Sequence, residues 1–373
     1  MFYDNILSLF SKLFFYEDLH LSRIKCLAGF VSSILSQRTV NMAILSCAYP
    51  TESTEQSAYM RLRRFLIGVS FKSQSLAKII AELSDLPIDK QWILSIDRTN
   101  WKFGKNHINL LVLSACSELG SAAIPLFWIQ LEDKKCGNSD HLDRLDLMDM
   151  FCQAFGKEKI FAVVGDREFI GTEWFSWFAI NKINYAIRLR ENGTYIANSK
   201  GKMLLASELL RGLNVNEKQS LGIRKVGKSG EQFHYLTATR NNNGEILLLA
   251  HSEQIKQPIE IYKKRWQIEV LFKCCKTNGF DMETTHVTRQ ERIETLMGVI
   301  ALAFVIAYKF GIWQSKTKPQ KIKKHGYLAM SVFKQGTQII SRIVNNYKQK
   351  LYVIDQIYQK LFSNIFTKVS FVW

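Results

Sequence analysis

Through the first ninety residues, apolar positions recur at helical spacing with few breakers, which predicts a helical region over 1–90. Within it "SQRTVNMAILSCAYPTESTEQSAYMRLRRFL" reads as a helix, a turn centred on Pro50 and a second helix opened by a capping box from Ser53 to Gln56. The pattern changes at Gln91. The runs "WILSIDRTNW", "INLLVLSA" and "AAIPLFWIQ" predict three sequential antiparallel strands. A helix follows with Leu142, Leu145, Met148, Cys152 and Phe155 on one face and Gly156 as its stop. "IFAVVGD" is apolar without alternation and predicts a central strand buried on both faces. A helix around Trp174–Ile180 and a fifth strand, "NYAIRLR", complete this part.

The order of three strands, helix, strand, helix, strand is that of an α/β fold with a ribonuclease-H-like core, whose first part spans 91–190. Over 191–255 the runs "TYIA", "LGIRKV", "FHYLTATR" and "EILLLAHS" alternate with turns such as "NNNG", which predicts a β-rich insertion subdomain. Helical pattern resumes at Pro258, giving a last core part over 256–312 and a helical C-terminal region over 313–373. The longest apolar block, Leu296–Ala307, is 12 residues, short of the ~20 needed to cross a bilayer, and predicts a buried helix.

Charge narrows the partner. Fifty Lys plus Arg against 33 Asp plus Glu leave a net charge of +17, which favours a polyanion, and nucleic acid over a membrane. The predicted second helix of the N-terminal region presents Arg61, Arg63 and Arg64, either as a helix-turn-helix-like DNA contact or as the solvated face of an ordinary helical pair. Residues 313–350 hold nine Lys or Arg and no carboxylate, which favours a second phosphate-contacting surface. Seven cysteines without a CxxC pair suit reduced, mostly buried thiols in the cytoplasm, and argue against zinc and a disulfide framework. The stretch "MFYDNILSLFSKLFFYED" has no basic leader or small-residue cleavage site and does not read as a signal peptide.

Three acids stand out against this basic background. Asp97 ends "WILSI" and Asp166 ends "IFAVVG", the places where α/β folds set their chemistry, although a turn or cap residue is the ordinary reading of either one. Glu269 is the lone carboxylate in "IYKKRWQIEVLFKCCKTNGF". Phosphodiester chemistry is served by two divalent ions ~3.5–4 Å apart, and a few carboxylates from separate elements suffice to hold them. At ~100° per residue, Tyr262, Glu269 and Lys276 fall within ~40° of one another, with Arg265 beside Glu269 and an anchoring stripe of Ile261, Ile268 and Cys275. The plain alternative is a pair of surface ion pairs, Arg265–Glu269 and Glu269–Lys273, worth ~0.2–0.5 kcal/mol each.

The spacing Tyr262-x2-Arg265-x3-Glu269-x6-Lys276 resembles the Y-(2)-R-(3)-E-(6)-K signature of bacterial DDE transposases of the insertion-sequence four family, and Asp97 in "SIDRTNW" and Asp166 in "VVGDREF" precede it in the family's order. The resemblance covers about Gln91 to Lys276. It implies cut-and-paste transposition, with Asp97, Asp166 and Glu269 holding two Mg²⁺ ions, for which Mn²⁺ can substitute. It further implies a hairpin intermediate, Tyr262, Arg265 and Lys276 on backbone phosphates, and a homodimer on paired ends. The implied partners are transposon-end inverted repeats and target DNA at the bacterial nucleoid.

One departure is visible. Relatives place a base-holding tryptophan in the β insertion, and none occurs between Phe178 and Arg265; Tyr195, Phe233 or Tyr235 could offer a ring, while Trp266 could stack on DNA or pack in the core. That gap motivates the alternative, a catalytically inactive sequence-specific DNA-binding protein derived from such an element.

Overall fold

The computed structural model describes residues 2–17, 19–118, 121–131, 139–228, 232–321, 323, 328–345 and 351–368. Cys136 and parts of the 313–350 basic run, 322, 324–327 and 346–350, lie outside the described residues. Five helices open the chain: α1 (Phe2–Leu13), α2 (Leu21–Gln37), α3 (Met42–Cys47), α4 (Glu55–Gly68) and α5 (Ser73–Leu83). Then come β1 (Trp92–Phe103), β2 (Asn106–Ala115), β3 (Ile124–Gln130), α6 (His141–Phe155), β4 (Ile160–Gly165), α7 (Thr172–Asn181) and β5 (Tyr185–Leu189). The next segment holds β6 (Tyr195–Ala197), β7 (Met203–Leu205), α8 (Ala206–Leu209), β8 (Lys218–Val226), β9 (Gln232–Arg240) and β10 (Ile246–His251). Helices close the chain: α9 (Pro258–Lys263), α10 (Trp266–Cys275), α11 (Gln290–Thr317), α12 (Val332–Asn345), α13 (Leu351–Leu361) and α14 (Ser363–Lys368).

All ten strands share one mixed sheet, ordered β3-β2-β1-β4-β5-β10-β9-β8-β6-β7. Burial explains the change of pattern along β1. Its first half, Trp92–Ile96, lies between β2 and the parallel strand β4, whereas beyond the last parallel pair, Ile96 with Gly165, it is joined to β2 alone. There the side chains alternate, with Thr99 and Trp101 buried and Asn100 and Lys102 exposed. The hairpin turns on Gly104, whose φ of +59° suits the first position of a tight II′ turn. The β-rich segment is continuous with the core sheet, since β10 pairs antiparallel with β5 along Leu248–Leu189 to His251–Ala186.

Several expectations need correction. The N-cap of α4 is Thr54, which accepts from the Ser57 amide at 3.3 Å, so no box joins Ser53 to Gln56. On α6, Leu142 is exposed, and the buried face runs through Arg144, Leu147, Met148 and Phe151. The boundary expected after residue 312 falls inside α11, which runs to Thr317. This 28-residue helix is long and apolar enough to cross a membrane, but 94% of its most apolar stretch is buried inside the protein. It packs against α12, α2 and α5, joining the two ends of the chain in one helical layer.

Candidate active site

Asp97 is the sixth of the twelve residues of β1, in mid-strand rather than at its end. It follows the last parallel pair, however, and Asp166 follows Gly165 across that pair, so the two acids are adjacent where the parallel pairing of β1 and β4 ends, at the carboxyl end of β4. Ligands in open α/β sheets bind at that end. The loop after β4 is held from several sides. Arg144, 5% exposed, donates to the carbonyl oxygens of Ser139 (2.8 Å), Glu168 (3.0 Å) and Ile170 (3.2 Å). Arg98 Nε contacts Glu168 Oε1 at 2.5 Å. These residues carry no recognisable local spacing, and "GDREF" alone hinted at Glu168.

The helix bearing Glu269 is built differently from the expected single rod. Between α9 and α10 the backbone tightens to i→i+3 bonds, such as Arg265 N to Tyr262 O at 2.9 Å. Gln267 pins the junction to the β2–β3 connection by exchanging hydrogen bonds with Ser117, and Ile268, Leu271, Cys274 and Cys275 anchor α10 in the core. Ile261, expected to extend that anchor, is half-buried.

Tyr262, Arg265 and Glu269 are thus brought to the acids of the sheet. One guanidinium spans two of them: Arg265 Nη1 donates to Asp97 Oδ2 at 3.1 Å and Nη2 to Glu269 Oε1 at 2.5 Å. Lys276 is not on the same face. It caps α10 and binds the Asn100 carbonyl (2.7 Å) and Glu283 (3.0 Å), three residues beyond Asp97 along β1, on the order of 10 Å away at ~3.3 Å per residue. Lys273 lies over the Trp266 ring at 4.8 Å rather than on Glu269. Arg61, Arg63 and Arg64 are exposed on α4, far along the chain from these acids, with Arg61 over the Tyr49 ring at 5.7 Å.

Burial sets the electrostatics. It pushes Asp97 up to about 6, with Arg265 opposing and Asp166 and Glu168 adding. It also raises Tyr262 to about 12, with the Asp166 charge contributing. Burial would lower the Arg265 guanidinium, but Tyr262, Asp97, Asp166 and Glu269 outweigh it and hold the group firmly charged. Asp166 Oδ1, Tyr262 Oη and Arg265 Nε are buried without a hydrogen-bond partner.

Beside the acids lies a cleft of about 640 Å³ lined by Arg188, Lys218, Arg240, Lys263, Arg265 and Trp266, among others. Trp266 is 54% exposed, so a core role is ruled out. Phe233 and Tyr235 lie six and four residues along β9 from the lining residue Thr239, about 20 and 13 Å at ~3.3 Å per residue. Neither they nor Tyr195 line it.

Among the described residues no three His, Cys, Asp or Glu side chains converge closely enough to hold a metal ion as they stand. The donor set nevertheless suits a hard dication. Asp97 and Glu269 share one guanidinium, which also feels the Asp166 charge, so negative charge is in excess, and Asp166 offers a buried oxygen with no partner. Among the described residues Cys274 and Cys275 are buried thiols, and burial pushes Cys274 up to about 12 and raises Cys275 as well.

Comparison with known proteins bears on the same segment. The family model described as the transposase DDE domain matches residues 89–306, more than half of the chain. No curated protein matches it. Among solved structures, the C-terminal lobe of a budding yeast Argonaute is similar over 76% of this chain at 11% identity and a TM-score of 0.20, too low for the likeness to carry a fold argument; the chain spans 62% of that lobe. The match over 89–306 encloses β1, β4 and α10 with all three acids, and by it the chain belongs to the transposase DDE domain family.

Proposed function

We propose that this protein is an active transposase that cuts and joins DNA at the ends of its own element, using Asp97, Asp166 and Glu269 as a carboxylate triad on a ribonuclease-H-like core. The observation that carries the reading is the meeting of these acids: two where the parallel pairing of neighbouring strands ends, and the third tied to Asp97 through Arg265. Family membership implies transposon-end DNA as substrate.

The triad would hold divalent ions, Mg²⁺ or Mn²⁺, which when bound stabilise the charge that builds on the phosphate and on the leaving oxygen. The sequence of steps is end cleavage by water, attack of the freed 3′-OH on the opposite strand to form a hairpin, reopening by water, and transfer of the 3′-OH into target DNA. Each is an in-line displacement, in which one P–O bond forms as another breaks and the leaving oxygen gains a proton.

The chain's own residues prepare these displacements. Arg144, Arg98 and Glu168 fix the loop that carries Asp166. Arg265 and Lys276 are placed to take up backbone phosphates once DNA displaces their internal partners, with Tyr262 packed beneath Arg265. The exposed Trp266 ring in the basic cleft supplies a stacking platform for a base at the cut end, the part that the β insertion leaves unfilled. Two ends must meet, so a homodimer on paired ends is part of the reading.

The test uses a DNA fragment bearing the terminal inverted repeats that flank this reading frame. Nicking with Mg²⁺ or Mn²⁺ is expected, and Glu269→Gln should lower it by a factor on the order of 10³, the scale of a lost transition-state contact, while the gel shift persists. Undiminished cleavage by Glu269→Gln would sink the triad. Binding without cleavage by the unaltered protein would favour the inactive DNA-binding alternative.

A further inference from the structure

Asp97 has two carboxylate oxygens and both are engaged: Oδ1 accepts the Arg98 amide at 2.8 Å, and Oδ2 takes the Arg265 guanidinium at 3.1 Å. Glu269 gives Oε1 to the same guanidinium. The guanidinium bridges Asp97 and Glu269 and sets a full positive charge between them, so a dication drawn to the same two carboxylates is repelled by it at close range.

Arg265 also has somewhere to go. It lines the basic cleft together with Arg188, Lys218, Arg240 and Lys263, where a polyanion would settle, and its Nε is a buried donor with no partner. A phosphate oxygen would satisfy that donor and draw on the bidentate fork that now grips the carboxylates.

We propose that Arg265 is an internal counter-ion that blocks metal loading in the DNA-free protein and is released by a phosphate of the bound end, so that DNA and metal each strengthen binding of the other. This rests on the reading of Asp97, Asp166 and Glu269 as the metal ligands. Linkage requires the coupling to be reciprocal, since both ligands favour the state in which Arg265 has left the acids. An enzyme so built stays unloaded until a DNA phosphate is seated in the cleft.

The measurement is Mn²⁺ affinity of the full chain by electron paramagnetic resonance, with and without a duplex precut at the flanking terminal repeat. For the unaltered protein DNA should tighten Mn²⁺ binding by about tenfold or more, within the usual range of coupled sites. Arg265→Gln should bind Mn²⁺ about tenfold more tightly without DNA and gain little from adding it. Arg265→Lys keeps the charge but cannot fork two carboxylates, so loss of most of the coupling there separates the fork from simple charge removal and serves if the Gln variant does not fold. Equal affinities of the unaltered protein and Arg265→Gln without DNA, or the same DNA-dependent gain in all three proteins, would overturn the gate while leaving the triad standing. Mn²⁺ binding that Asp97→Asn leaves undiminished, or none in any variant, would overturn the triad itself and the gate with it.

Discussion

Arg144 ties two carbonyls of the segment after Asp166, those of Glu168 and Ile170, to that of Ser139 before α6, which gives a sharp expectation at the scale of one side chain. Arg144→Leu should strand buried acceptors at about 1–3 kcal/mol each and lower end cleavage by about 10–100-fold, the usual cost of losing a group that orients a ligand. Normal cleavage rates in a destabilised Arg144→Leu protein would show that the loop needs no such brace. His234 allows a pH test remote from the acids. Burial lowers it to about 4, and its ring accepts or donates to Tyr185 Oη at 2.8 Å. The unfolded chain takes up this proton near pH 6.5 and the folded protein only near 4, so the stability supplied by the neutral ring is complete above about 6.5 and falls as the pH drops through that window. At about 1.4 kcal/mol per unit, the loss by about pH 5 is ~2 kcal/mol, and His234→Gln should remove most of that slope in urea unfolding. An unchanged slope would assign the acid sensitivity to other groups. Single residues were legible only in part from the sequence. Asp97, Asp166 and Glu269 could be singled out as lone acids against apolar or basic surroundings, whereas the Arg265 fork depends on a partner 168 positions away, and the exposure of Trp266 depends on how α10 packs in the fold, which no local pattern encodes.

At the scale of elements, α12 shows how closely the C-terminal helices are fitted. A Cβ on Gly336 would lie 1.7 Å from the Ala307 carbonyl oxygen, and one on Gly311 would lie 1.9 Å from that of Val332, so the backbones of α11 and α12 touch. Gly336→Ala should force them apart, at the ~1–3 kcal/mol typical of overpacking or more, and lower the melting temperature. Since Phe333 of α12 packs on Phe304 and on Phe280 just beyond α10, the same variant should also weaken cleavage through the seat of Glu269. A variant with the melting temperature of the unaltered protein would contradict the close approach. The strands from β1 to β5 were readable because their apolar runs are long and bounded, and α11 because its apolar block is unbroken. The tightening between α9 and α10 was not, since Lys264 and Arg265 keep right-handed helical dihedrals and only the hydrogen-bond pattern shifts. β7 and α8 were too short to leave a period.

The whole molecule is a basic body in which the ends of the chain share a core. Lys309, 6% exposed on α11, binds Asp85 after α5, and Asp85 in turn receives Asn364 from α14 at 2.8 Å. Charge at this scale governs DNA affinity through counter-ion release, with the logarithmic salt slope changing by about 0.9 per phosphate contact. Arg63 and Arg64 are exposed, and the joint variant Arg63→Gln, Arg64→Gln should flatten that slope by about 2 if α4 contacts DNA, while an unchanged slope would make α4 a solvated face. The net charge of +17 could be read directly from composition. How the β-rich segment joins the core sheet through β5 and β10 could not, because that pairing spans some sixty residues and is decided by the closure of the whole sheet.

The central claim, that Asp97, Asp166 and Glu269 together hold a metal, is tested most directly by loading the protein with Fe²⁺ on a precut terminal-repeat duplex and mapping backbone scission after ascorbate and peroxide. Radicals generated at the ion cut the nearest backbone. The account predicts cuts clustered at positions 97, 166 and 269, suppressed by excess Mg²⁺ and lost in Asp97→Asn. Scission elsewhere, or at the two aspartates with none near Glu269, would contradict it.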